Sequence, residues 1–345
     1  MQAARLRRIG GELRIDTIPV PRTASNDILV EVKVSGICHS DLNYRNGVAP
    51  VAKLPITLGH EIAGTIAKKG SGAKSFRLGE HVLVHYVSSC GRCSYCRSNQ
   101  ENYCDSYRMI GKDVDGGFAD YVIIPASSAV RLPKSIPFEQ AAIMGCAVPT
   151  AFHALRRGRV KPGDTVVIIG VGGLGMHAVQ LAKKIFRAGS VIAVDRFEWK
   201  LKRARNFGAD GTVGVATGDT ATAVSEMTDG KLADVVLDFV GSETTNQLGL
   251  ECVGKGGRFV LVGIGAKSLK VSPYTTIIGK EIEIVGVDDH LKTELTQLVD
   301  LVRSGKVDLS HSITHKVSLE SINEGLRILE DKDKRPIRVV VSMKD

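Results

Sequence analysis

The sequence predicts an α/β protein of two domains, one β-rich and one a doubly wound parallel sheet. Three observations predict it. Short apolar runs alternate with helical patterns through the middle of the chain, and a glycine-rich turn separates the first such run from its helix. Before Pro149 the chain instead carries short strand-like segments punctuated by glycine and proline. With 345 residues there is room for two domains, which usually run to about 100–200 residues each.

The β-rich domain is expected over residues 1–149, completed by 288–345. Residues 28–34 alternate in the strand manner, and 81–87 and 121–124 look similar. In the middle domain, 150–287, residues 165–169 form an apolar run of the fully buried kind. The glycine turn follows, then a helical pattern over 176–186 and a second buried strand at 191–194. Residues 235–239 and 259–262 repeat the strand texture. The last stretch predicts helices at 295–303 and 319–330 and a closing strand at 337–341. It is too short to form a large domain alone and is expected to return to the first. There is no internal repeat or low-complexity tract.

The hydrophobic fraction of 43% and charged fraction of 24% are ordinary for a globular protein. No apolar run approaches the roughly 20 residues that a membrane helix needs, so no membrane partner is expected. Residues 1–10 are basic but lack an apolar core and a small-residue cleavage site, which makes a cytoplasmic location the expectation. The net charge of +9 raises a nucleic-acid reading. Its basic residues are scattered in small groups at 5–8, 156–159 and 200–205, without a tract interleaved with aromatics. No nucleic-acid partner is therefore expected, and a basic surface also suits an anionic cofactor.

Gly170-Val171-Gly172-Gly173-Leu174-Gly175 matches the G-x-G-x-x-G pattern in the right context, after a buried strand and at the head of a helix. Such glycines allow a tight turn, so that a pyrophosphate can meet the helix N-terminus. The next strand ends at Asp195, about 20 residues further on, where a carboxylate would bind ribose hydroxyls. That carboxylate would repel a 2′-phosphate, which favours NAD. Arg196 beside it could grip such a phosphate, so NADP stays open.

Four of the seven cysteines form Cys90-x2-Cys93-x2-Cys96-x7-Cys104 within a polar lobe at 88–106. Four thiolates at this spacing can wrap one tetrahedral Zn²⁺ in a closed, structural site. A disulfide pair suits an oxidising compartment instead, and known iron–sulfur spacings differ. A second, dispersed constellation comprises Cys38-His39-Ser40-Asp41, Gly59-His60-Glu61 and Cys146. Two thiolates and one imidazole on zinc leave a fourth position open for substrate. Each of these residues taken singly has a plainer reading, and Cys146 in its apolar stretch reads as core.

Together these residues resemble the zinc-dependent medium-chain alcohol dehydrogenase family along nearly the whole chain. The match rests on Gly59-His60-Glu61-Ile62-Ala63-Gly64 with Gly70 and Ala73, on Cys38-His39-Ser40-Asp41, on the four-cysteine lobe, on Gly145-Cys146-Ala147 with Thr150, and on the glycine turn, in the family's order. The resemblance implies a GroES-like β-rich catalytic domain interrupted by a Rossmann domain, and two zinc ions per chain, one catalytic and one structural. It implies Cys38, His60 and Cys146 as catalytic ligands, with Glu61 as an alternative ligand. Asp41 would orient the zinc-bound imidazole, Ser40 would bond the substrate oxygen and pass on its proton, and His39 would touch the cofactor phosphate. Gly170, Gly172, Gly173, Leu174, Gly175, Asp195, Arg196, Asp238, Gly241 and Lys292 would bind the cofactor, and Tyr86 would line the substrate pocket.

The implied reaction is reversible hydride transfer between a primary or secondary alcohol and NAD, with an aldehyde or ketone as the carbonyl partner. A homo-oligomer, dimer or tetramer, is also implied. Two departures stand out. Asn43 occupies a position where some relatives place a proton-relaying histidine, and in the segment 288–292 only Lys292 keeps the basic character of the family's cofactor-touching turn. Alternatives are a polyol or amino-acid alcohol dehydrogenase of the sorbitol or threonine type, and a non-catalytic zinc- and NAD-binding regulatory or nucleic-acid-binding protein. Polyol relatives often lack the cysteine at Cys146.

Overall fold

Strand Asp27–Ile37 is the spine of the first unit, and its residues explain why. Its β-branched and aliphatic side chains are buried along most of its eleven positions, which suits a strand inside a sheet. In this computed structural model, which describes residues 1–215, 220–265 and 267–343, the chain divides into two units. One comprises Met1–Pro149 with His290–Asp345, the other Thr150–Asp289.

In the first unit the spine belongs to a seven-stranded sheet. The order runs Ala129–Arg131, His81–Val84, Glu61–Lys69, Asp27–Ile37, Arg338–Ser342, Ile313–Ser318, and Tyr121–Pro125 pairs with the spine off this path. Glu61–Lys69 runs antiparallel to the spine, with Gly36 opposite Glu61. On the spine's other side Val340 lies opposite Gly36. The two ends of the sequence thus meet on one strand, at the point where Glu61 enters the sheet. The run expected as one strand at 81–87 is instead two, His81–Val84 and Val87–Ser88, and the second pairs with Arg108–Met109 in a separate small sheet. The chain changes partner at the break. His85 N–H donates to Ser128 O, while Tyr86 O accepts from Ile110 N–H.

The second unit holds a six-stranded, wholly parallel sheet. Its order is Gly211–Gly214, Ser190–Asp195, Thr165–Ile169, Ala233–Asp238, Val253–Leu261, Glu283–Gly286. The central strands are runs of fully buried valine, isoleucine and leucine, as expected where both faces of a sheet are covered. Chain order reverses beside Thr165–Ile169, which makes its carboxyl end a switch point, where doubly wound sheets take their ligands. Strand Val253–Leu261 begins well before the expected 259–262. Its first half, Val-Gly-Lys-Gly-Gly, lacks an apolar pattern, and its register shifts between Ala233 and Val235 of the partner strand.

Candidate metal centres and nucleotide turn

Three separate turns carry the dispersed constellation. Cys38 ends the spine and caps helix His39–Asn46, and Asp41, at that helix's third position, accepts from Cys38 N–H at 2.9 Å. His60 and Glu61 stand where the chain enters strand Glu61–Lys69. Cys146 lies between helices Phe138–Ile143 and Ala147–Arg157. The fold brings them together: one donor atom from each of Cys38, His60, Glu61 and Cys146 lies within 4.8 Å of all the others, and all four residues are buried. Gly36 makes room for the carboxylate, since a Cβ there would sit 1.9 Å from Glu61 Oε2.

Asp41 is fully buried and ties these turns to one another. Its Oδ2 holds Cys38 N–H, its Oδ1 accepts from Gly59 N–H at 3.2 Å, and the same oxygen lies 3.4 Å from His60 Nδ1. Burial opposes a charge on His60, but Asp41 and Cys38 together hold its pKa well above the usual histidine value. The Cys146 thiol bonds to Cys38, and with His60 this holds Cys38 well below the usual thiol value despite its burial. Cys146 is held correspondingly high by the same bond and by burial. Burial raises Glu61 to about 7 even though the Arg338 guanidinium beside it pulls the other way.

This donor set fits a metal dication. Neither ring nitrogen of His60 finds a partner with full hydrogen-bond geometry among the described residues. Two soft thiols and an imidazole, compressed into a buried space with one anionic charge already favoured, match what zinc takes in sites of the open kind. Ser40 Oγ lies 3.8 Å from Cys38 Sγ, half-exposed at the edge of the cluster, while His39 is exposed. The Tyr86 ring meets the His60 ring edge-on at 5.3 Å.

The second cluster is local. The donor atoms of Cys90, Cys93, Cys96 and Cys104 also lie within 4.8 Å of one another. Cys90 and Cys96 are 3.9 Å apart and Cys93 and Cys96 3.4 Å. A tetrahedron with Zn–S bonds of about 2.3 Å requires sulfur–sulfur distances of about 3.8 Å, so the cage has the right size. Backbone N–H groups of Arg92 and Cys93 pull Cys90 down to about 6. Cys93 is favoured by the Cys96 N–H, yet burial and the neighbouring thiols push it up to about 11. Four thiols this close cannot all ionise without a cation among them, and a dication is what would let them.

In the second unit, the turn Gly170–Gly175 joins strand Thr165–Ile169 to helix Gly175–Lys184. A Cβ on Gly175 would lie 2.1 Å from Gly170 O, so only glycine lets the helix start this close to the strand end. Asp195 ends the neighbouring strand. Its carboxylate accepts from Val171 N–H and Phe197 N–H, both at 3.0 Å, and Lys200 Nζ lies 3.5 Å away. Arg196 is exposed, its guanidinium 4.7 Å from the Phe197 ring centre. Gly172, Gly173 and Leu174 complete the turn. Asp238 ends the strand on the other side of Thr165–Ile169, and its Oδ1 accepts from Val240 N–H and Gly241 N–H at 2.8 and 3.1 Å. Lys292 belongs to the first unit, where its ammonium donates to Ser127 O.

Comparison with known proteins identifies the family. Residues 24–134 match the model of the alcohol dehydrogenase GroES-like domain, and residues 173–304 that of the zinc-binding dehydrogenase. An NAD-dependent alcohol dehydrogenase of Sulfurisphaera tokodaii is 33% identical over 96% of this chain and 97% of its own. The chain belongs to the zinc-type medium-chain dehydrogenase family. This dehydrogenase also resembles a sorbitol dehydrogenase of Bacillus subtilis, at 32% identity over 93% of this chain and 92% of that one. Among solved structures, an alcohol dehydrogenase from Thermus sp. ATN1 superposes with a TM-score of 0.93 at 28% identity, each chain covered in full.

Beside the candidate residues the structure places neighbours that sequence reasoning missed. Arg338 pairs with Glu61 across 277 positions of sequence, a distance no local motif spans. Lys200, beside Asp195, was legible only as part of a basic group. His290 meets both His85 and Tyr86 edge-on, with ring centres 5.0 Å apart in each pair. Their only sequence signal was histidine at a buried strand end and in a turn.

Proposed function

We propose that this dehydrogenase catalyses reversible hydride transfer between a neutral primary or secondary alcohol and NAD, using Cys38, His60 and Cys146 to hold a catalytic zinc and the four-cysteine lobe to hold a structural one. The observation that carries this reading is the buried convergence of Cys38, His60, Glu61 and Cys146 from three distant turns. Zinc in that site would supply Lewis-acid polarisation of the alcohol oxygen, and NAD would accept the hydride. The protein's own residues do the rest. Asp41 fixes the imidazole and balances its charge, as carboxylates behind metal-bound histidines do. Ser40, at the solvent-facing edge, takes the alcohol proton and passes it outward. Arg338 holds Glu61 in place, keeping the alternative ligand within reach of the cluster. Tyr86 walls the site with an apolar ring, which favours an uncharged substrate.

On the nucleotide, Asp195 would take the ribose hydroxyls and disfavour a 2′-phosphate, with Gly170, Gly172, Gly173, Leu174 and Gly175 admitting the pyrophosphate. Asp238 and Gly241 shape the adjoining loop, Arg196 follows Asp195 and would be available to the ribose, and His39 and Lys292 would serve as cationic or donor groups for the cofactor phosphates. Domains are assigned as 1–149 with 288–345 and 150–287. A homo-oligomer is favoured by the apolar side chains Ile264, Tyr274 and Ile278, exposed by 79%, 75% and 63% in the second unit. The similarity to a sorbitol dehydrogenase makes polyol oxidation the second reading. Reduction of NAD and of NADP, followed with simple, benzylic and secondary alcohols, sorbitol and threonine, tests the proposal. Turnover of simple alcohols with NAD supports it. Turnover confined to sorbitol or threonine, or to NADP, would replace it.

A further inference from the structure

The four-cysteine lobe is joined to the catalytic cluster by a chain of contacts that begins at one carboxylate. Glu101 lies in the lobe between Cys96 and Cys104, at the start of a short helical turn, Glu101–Tyr103. Its Oε1 accepts from Lys292 N–H at 2.5 Å. Lys292 is the first residue of helix Lys292–Arg303, and the first N–H groups of a helix have no partner within it. That helix already has its own acid at this end, since Glu294 Oε2 accepts from Leu291 N–H at 2.9 Å. Glu101 adds a second carboxylate, supplied from a segment 191 positions away. The charge also suits the positive end of the helix.

Two residues before Lys292, His290 O faces His85 Nε2 at 3.2 Å. The rings of His85 and His290 flank Tyr86, and Tyr86 packs edge-on against His60. His85 and His290 are buried, and burial lowers His85 to about 4, so its ring is neutral at this contact. His290 thus connects the segment 290–292 to the aromatic wall of the metal cluster.

We propose that Glu101 is a positioning residue, through which the four-cysteine lobe holds Lys292 and His290 and thereby fixes the Tyr86 wall beside His60. The inference rests on the reading of the cluster as a catalytic site, and the two can fail separately. Amide exchange at Lys292, measured without substrate, tests the link itself, and steady-state kinetics test its consequence. In Glu101→Ala the Lys292 amide exchanges faster, and the KM for alcohol rises about tenfold, within what a small misplacement of substrate by a distant change can cost. Zinc content stays that of the wild type. Glu101→Gln keeps an acceptor oxygen and restores both the exchange rate and KM. Unchanged exchange in Glu101→Ala overturns the link. Faster exchange with unchanged KM also overturns the proposal, because Glu101 is then only a helix cap. If Glu101→Ala does not fold or loses lobe zinc, Glu101→Asp, which is shorter but keeps its charge, is read by the same two criteria. A wild type without alcohol turnover would refute the catalytic reading and leave the exchange result standing.

Discussion

At the scale of single residues, Asp41 has the most concentrated role. One buried carboxylate holds two backbone N–H groups and faces the His60 ring. Asp41→Asn preserves the shape and removes the charge. Chelator competition is expected to show the catalytic zinc held about 10–100-fold more weakly, with lobe zinc unaffected. Equal affinity in the variant would mean that Asp41 only shapes the turn. His85 has a different consequence. Its folded pKa of about 4 lies below the ordinary histidine value, so the unfolded chain takes up a proton first as the pH falls. The stability that neutral His85 contributes is present above about 6.5 and is lost down to about 4, on the order of 3 kcal/mol in all. His85→Asn should flatten the fall in chemical-denaturation stability over that window, and an unchanged slope would contradict this. The four clustered cysteines were legible in sequence because metal chemistry restricts residue type and local spacing, whereas Cys38 and His60, far apart in the chain, were legible as ligands only through the family resemblance. Arg338 was not, because its pairing with Glu61 exists only once the C-terminal strand closes on the spine.

At the scale of elements, the glycine turn makes the sharpest demand. A methyl group on Gly175 would lie 2.1 Å from the backbone oxygen of Gly170, which cannot swing away as a side chain could. Gly175→Ala should therefore weaken NAD binding at least about tenfold, by disturbing the backbone that approaches the pyrophosphate. Trp199 is the one tryptophan, in helix Glu198–Phe207 just past Asp195, and its fluorescence is the readout chosen to follow nucleotide binding. Titration curves that coincide for variant and wild type would contradict this reading of the turn. The buried parallel strands could be read from sequence because burial on both faces leaves an apolar run. Two elements could not. The strand expected through 81–87 breaks where its backbone partners change, and the glycine-rich start of Val253–Leu261 carries no apolar signature.

At the scale of the whole molecule, alternating strands and helices beside a β-rich segment were enough to give the fold class. What the sequence could not show is how surfaces meet, because an exposed apolar side chain reads the same as a buried one in a string of residues. Ile264, Tyr274 and Ile278 are each seen to be exposed only in the folded second unit. Light scattering is expected to give a mass of two or four chains, and a monomer at working concentration would contradict the proposed oligomer. No helix among the described residues is long and apolar enough to cross a membrane.

The central claim is that two separate donor sets hold zinc and that only the dispersed one carries the chemistry. Elemental analysis of zinc per chain, made on wild type and on Cys146→Ala with alcohol-dependent NAD reduction read from the same samples, tests it most directly. About two zinc ions and turnover are expected in the wild type, and about one zinc ion without turnover in the variant. Equal zinc content in both proteins, or turnover that survives in Cys146→Ala, would contradict it.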